Sequence, residues 1–320
     1  VHMASALGGG VASFFSMSLF IGVLSYGNAL VAQYFGAQEY SKCPRVVTQG
    51  LLMGLACLPL IALVAWFVID LFDAMGHDPR QVELERRYYL VLISGCYFNL
   101  AKTCLAGYFA GIGRSEVVMT ADLLGMAINV PLSYLLIFGK LGLPELGIAG
   151  AALGTVLSTL FSLCVFGWFY GNAVQRRQFT VGSSLVYVPG ILRRYLRLGL
   201  PSGFELFMNV ATFNLFLLMF QSYGVVHGAA AAIVFNWDMM SFVPMIGLNI
   251  GVISLIGRYV GADDMGRADS VNRAAFMTAL GYSSVLAVLI IVYRDQLVHV
   301  FAGSCEDFTA IISNATFMMI

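Results

Sequence analysis

Four charged side chains stand inside stretches that otherwise hold almost only apolar residues: Lys102, Asp122, Glu205 and Asp238. A charge at the centre of a bilayer costs ~2.5–3.5 kcal/mol on insertion scales, so each of the four needs a partner or a task. At ~1.5 Å per helical residue, Lys102 lies about 16 Å along its stretch from Gly113, and Asp122 lies about 10 Å into the next, antiparallel one. The two can therefore pair, and pairing lowers the burial cost whether or not the pair binds anything. A structural ion pair and a binding role both stay open. Glu205 follows Pro201 by one turn, and Asp238 lies about 13 Å from the outer end of the following stretch. A buried carboxylate takes up and releases a proton when its environment raises its pKa, and an ionised one among amide oxygens holds Na⁺. Asn209, Asn214 and Asn236 supply such amides. The alternatives are snorkelling of Glu205 to the membrane surface and plain interhelical hydrogen bonding by Asp238. Phe207, Met208, Phe213, Met219, Trp237 and Met240 offer aromatic and soft surface suited to flat organic cations.

These residues must be positioned by membrane-spanning elements. The chain has 320 residues, 59% hydrophobic and 11% charged, with no net charge and a mean hydropathy of +0.84. A soluble domain carries about 25% charged residues, so this chain cannot cover a water-facing surface. Charge-poor runs are read at 4–34, 46–71, 88–112, 117–138, 147–170, 198–223, 229–260 and 273–293, and another begins near 307. Runs of this length must be helical, because hydrocarbon offers backbone groups no partners, and barrel-type alternation is absent. The expected fold class is all-α and polytopic. Net neutrality gives no footing for nucleic acid. The cysteines show no paired spacing of the kind that builds a disulfide framework or a zinc site, and no cofactor motif is present.

The polar segment 171–197 holds Arg176, Arg177, Arg193, Arg194 and Arg197 without an acidic residue. The positive-inside rule makes it cytoplasmic. Alternation then puts Lys42, Arg45, Arg114, Arg258, Arg267 and Arg273 on the same side, against Arg80, Arg86, Arg87, Lys140 and Arg294 opposite.

The chain also repeats itself. At an offset of 225 residues, Leu30-Val-Ala-Gln-Tyr-Phe-Gly-Ala37 falls on Leu255-Ile-Gly-Arg-Tyr-Val-Gly-Ala262, and Ser16, Gly22, Val46, Leu55 and Asp70 fall on identical residues. By that offset the helix at 198–223 needs a counterpart before residue 1, and the counterparts of 117–138 and 147–170 follow Ile320. The reading is of two six-helix halves in about 450 residues, a parallel repeat of the kind secondary transporters use. The expected division is 1–170 as a first lobe lacking its first helix, 171–197 as a cytoplasmic linker, and 198–320 as a truncated second lobe.

Several stretches resemble the multidrug and toxic compound extrusion (MATE) family: Val31-Ala-Gln-Tyr-Phe-Gly-Ala37, Gly107-Tyr-Phe-Ala-Gly-Ile-Gly113, Asn129-Val-Pro-Leu-Ser133, the run from Gly139 to Thr155, Leu200-Pro-Ser-Gly203 and Ile256-Gly-Arg-Tyr-Val-Gly-Ala262. The resemblance implies a multi-pass plasma-membrane protein, bacterial inner membrane by expectation and a monomer. In it, two lobes open alternately while Na⁺ or H⁺ entry drives export of small organic, often cationic, compounds. Asn129 and Thr155 match polar positions of the family. Where members carry acids, this chain has Ser133, Asn209 and Asn214, which do not titrate, so second-lobe carboxylate chemistry shifts to Glu205 or Asp238.

A lipid-linked oligosaccharide flippase of the same architecture is the alternative within transport. It calls for a strongly cationic cavity, and Lys102 is the one cation read as buried. An integral membrane enzyme is the third reading, but no H-E-x-x-H or G-x-S-x-G is present. If the second-lobe assignment is right, Glu205→Gln combined with Asp238→Asn impairs export of an organic cation from vesicles. Full export by the double mutant would remove both residues from the site.

Overall fold

In a computed structural model of the chain, the structure describes residues 2–74, 79–142, 144–172, 178–222 and 225–299. The expected all-α architecture is borne out, with no strand among the described residues. The helices are α1 (His2–Ser25), α2 (Gly27–Gly36), α3 (Cys43–Ala74), α4 (Pro79–Ser94), α5 (Cys96–Gly111), α6 (Ser115–Phe138), α7 (Ile148–Tyr170), α8 (Pro189–Ser222), α9 (Val225–Gly261) and α10 (Met265–His299). Among the described residues, six spans pass on length and apolarity: Ser5–Gly36, Tyr40–Asp70, Ser115–Phe138, Ile148–Tyr170, Ile233–Gly261 and Met265–Arg294. A seventh forms if α4 and α5, bent by 47°, are counted together. The span read at 198–223 lies within α8 except for its last residue, and the run near 307 lies outside the described residues.

Two boundaries differ from the sequence reading. The run expected from 88 begins instead at Pro79, and it breaks at Gly95, where an added Cβ would stand 2.6 Å from both methyls of Val156 on α7. A glycine with a side chain pressed against it is a sufficient cause for a bend. The early start places Glu85 inside a helix, where it is 1% exposed, because Gly8 and Gly9 of α1 leave room for Glu85 and Tyr88. The segment expected as linker up to 197 is helical from Pro189. Ahead of that helix, fully buried Gln49 donates from Nε2 to the Val186 carbonyl (2.8 Å) and accepts from the Val188 N–H (3.3 Å). Thr48 donates to the Ser184 carbonyl at 3.1 Å. These bonds fix the backbone of segment 184–188 on α3.

The chain divides into two compact units. The first holds residues 1–207 and 257–264, with Leu30, Leu100, Tyr108, Phe109, Phe166 and Tyr195 among the side chains filling its core. The second is built from the described residues between 208 and 256 and between 265 and 299, where Ala230 and Ile233 pack with Trp237, Ile290 and Leu297. Along α10, Phe276, Met277, Leu280 and Val292 point outward, as a lipid-facing surface requires.

Inside the first unit the 225-residue repeat can be followed bond by bond. After α2, the N–H groups of Ala37, Gln38 and Glu39 bond to the carbonyls of Gln33, Phe35 and Tyr34, with Gln38 at φ 61°. After α9, those of Ala262, Asp263 and Asp264 bond to Arg258, Val260 and Tyr259, with Asp263 at φ 58°. Both are Schellman caps, closed by one left-handed residue. A third closes α5 through Ile112, Gly113 and Arg114. The three ends converge. An added Cβ on Gly36 would fall on the Arg258 carbonyl, and one on Gly261 would fall on that of Gln33. Arg258 lays its guanidinium 5.0 Å from the centre of the Phe35 ring and donates from Nε to the Gly111 carbonyl at 3.2 Å, a cation at the negative end of α5.

Gly36→Val should lower the melting temperature of the detergent-solubilised protein by several degrees, since overpacking against backbone costs ~1–3 kcal/mol. Gly182→Val, where nothing lies within 4 Å, should leave it unchanged.

Candidate functional site

Helices α5, α6 and α7 bring the first-lobe residues together. Lys102 Nζ lies 2.8 Å from Asp122 Oδ1, so the pair expected from helix depth is formed. The two side chains are 29% and 47% exposed, so the pair is not sealed in the core. They line an open pocket of about 270 Å³, and Asn129 and Thr155 line it as well. Asn129 donates from Nδ2 to Ser158 Oγ at 3.1 Å. Ser133 does not join them: it is turned against Gly154 of α7, where a Cβ would strike its hydroxyl.

Three further hydroxyls complete the wall: Ser158, Thr159 and Ser162. With Thr155 they recur at i, i+3, i+4 and i+7, which is one face of α7. The spacing is visible in the sequence, although serine and threonine are too common in membrane helices for it to stand out unaided. Ser162 donates to the Ala121 carbonyl of α6 at 2.9 Å and sits where Gly125 has no side chain. That contact turns the hydroxyl face of α7 toward Asp122.

The second group of expected residues is placed differently. Glu205, Asn209, Asn236 and Asp238 are exposed on their helices, as are Met208, Met219 and Met240. Asn214 is half-buried and donates to its own helix at the Val210 carbonyl, 2.8 Å away. Phe213 meets Phe235 edge to face at 5.1 Å, Phe207 packs on Phe15 at 5.0 Å, and Trp237 donates from Nε1 to the Leu297 carbonyl at 3.1 Å. Trp237 is thus tied into the packing of α9 on α10.

Comparison with known proteins gives this geometry a family. A family model described as MatE matches residues 3–135 and 201–320. The chain belongs to the MatE family. It is 24% identical over 288 residues to a Bacillus cereus protein named "Probable multidrug resistance protein NorM", covering 89% of this chain and 64% of that one. With Multidrug resistance protein NorM of Photobacterium profundum it shares 24% over 289 residues, again 89% of this chain and 63% of the relative. The chain therefore spans less than two thirds of the length of these relatives. A solved outward-facing multidrug resistance MATE transporter superposes with a TM-score of 0.84 at 22% identity, over 99% of this chain and 70% of that one, a likeness of fold.

Within this MatE chain, burial also marks Glu85, which no apolar run had framed. It accepts from Gln81 Nε2 at 2.8 Å. Its polar neighbours in sequence, Arg80 to Arg87, read as a loop, and only the packing of α1 on α4 shows it to be interior.

Breaking an ion pair from one side leaves a charge without its partner, whereas removing both does not. Lys102→Met alone should therefore destabilise the MatE chain more than Lys102→Met with Asp122→Asn, measured as melting temperatures in detergent. Equal or additive losses would show that the pair is not coupled.

Proposed function

We propose that the protein exports small organic cations across the membrane by antiport with Na⁺ or H⁺, its two halves opening alternately to either side. The observation that carries this reading is the Lys102–Asp122 pair in an open polar pocket among membrane-spanning helices of a MatE chain. Asp122 is the anionic contact for a cation, with Asn129 and Thr155 supplying neutral oxygen. Glu205 and Asp238, exposed on α8 and α9, are assigned to coupling, with the amides of Asn209, Asn214 and Asn236 on the same two helices. The names of the relatives support drug efflux as the direction. The flippase reading is weaker because the cation in this pocket is matched by a carboxylate, which leaves no surplus positive charge for a pyrophosphate headgroup.

Vesicles carrying the full-length protein should extrude an organic cation when given an inward Na⁺ or H⁺ gradient, and Asp122→Asn should slow extrusion at least tenfold. Extrusion at the same rate without any gradient would refute antiport. Unchanged extrusion by Asp122→Asn would remove the pocket from the pathway.

A further inference from the structure

The pocket between α5, α6 and α7 offers mostly acceptors. Thr155 donates its hydroxyl proton to the Ala151 carbonyl (3.2 Å), Thr159 donates to the Thr155 carbonyl (2.8 Å), and Ser158 donates to that same carbonyl (2.9 Å). Ser162 spends its proton on Ala121, as described above. A hydroxyl has one proton and two lone pairs, so each of these oxygens has only acceptor capacity left. Asn129 commits one of its two amide protons to Ser158 and keeps the other, and its Oδ1 is a further acceptor. Asp122 is an acceptor when ionised. Against this wall stands one ammonium with three N–H groups, that of Lys102.

We propose that Lys102 is a tethered occupant of an ammonium slot, and that the pocket admits organic cations bearing N–H, namely protonated primary and secondary amines, by letting them displace Lys102 from Asp122. This rests on the transport reading above and narrows its substrate class. A protonated amine reproduces the charge-assisted bond that it breaks, so the exchange costs little in hydrogen bonding. The pair is only partly buried, and the flexible four-carbon stem of lysine lets the ammonium swing aside. Met126, which also lines the pocket, gives the carbon skeleton of the amine an apolar contact. A quaternary ammonium carries no N–H. It meets the same acceptors only at van der Waals distance, and it loses the competition with Lys102.

The test uses the full chain in lipid nanodiscs and two fluorescent probes, a dansyl-labelled alkyl primary amine and its trimethylated quaternary analogue. The wild type should bind the primary amine at least tenfold more tightly than the quaternary one. Lys102→Met, which removes the resident competitor, should tighten the primary amine about tenfold, and Asp122→Asn should abolish the preference. Equal affinity of the wild type for both probes would overturn the slot, and this comparison needs no variant to fold. So would a Lys102→Met protein that binds the primary amine no more tightly than the wild type. Gradient-driven extrusion from vesicles is read separately. Extrusion of both probes alike discards the slot while the transport reading stands, and a binding preference without extrusion supports the slot while discarding antiport.

Discussion

In hydrocarbon, helices gain little by hiding apolar surface from one another, because lipid tails are as apolar as leucine. What holds two of them together is how closely their backbones approach, and that is set by where Cβ atoms are missing. At the converging ends of α2, α5 and α9, Gly36 and Gly261 face backbone carbonyls with no side chain between, and Gly111 lies against the Asn28 carbonyl in the same way. Close approach there lets Arg258 reach across to the end of α5. It also places three identical caps side by side. The α6–α7 pair follows the same rule through Gly125, Gly150 and Gly154. The candidate site depends on it directly, since Ser162 bonds to the α6 backbone only because Gly125 leaves the space.

A polar pocket between membrane helices must also satisfy itself before it can bind anything. Hydroxyls on α7 do so by returning their protons to helix carbonyls, three within α7 and one across to α6. Such bonds are local and cheap to form, and they leave the outward-facing oxygens all of one kind. The specificity of the wall therefore follows from how serine and threonine are accommodated in a helix. It does not need a ring of charges.

Much of this was legible in the residues. The spans follow from apolar length because the bilayer allows little else, and the Lys102–Asp122 pair follows from depth arithmetic along two antiparallel helices. The repeat was legible because a cap imposes chemistry on sequence: a small residue ends the helix and the next but one takes positive φ. What escaped was whatever depends on a distant partner. Glu85 sits in a run of charges that reads as loop, and it is interior only because two glycines of α1 make room for it. The bend at Gly95 depends on Val156 of α7. Trp237 packs with Ile290 and Leu297, and nothing in its own neighbourhood of the chain foretells those two residues.

The departures from the family pattern bear on where coupling can lie. Ser133, Asn209 and Asn214 stand at positions where the resemblance implies acids, and none of the three titrates. The Lys102–Asp122 pocket is neutral as it stands, and a neutral pair can be exposed first to one side and then to the other without moving charge across the membrane potential. Under the proposed exchange, an arriving amine adds one positive charge to that balance, and the load can be offset only if another cation leaves or a carboxylate elsewhere gives up its proton. A tethered lysine that reoccupies Asp122 once the amine departs restores neutrality at the pocket itself. Under the proposed antiport, the coupling ion then has no need to visit Asp122 at all, and the exposed carboxylates of α8 and α9 are left to serve it.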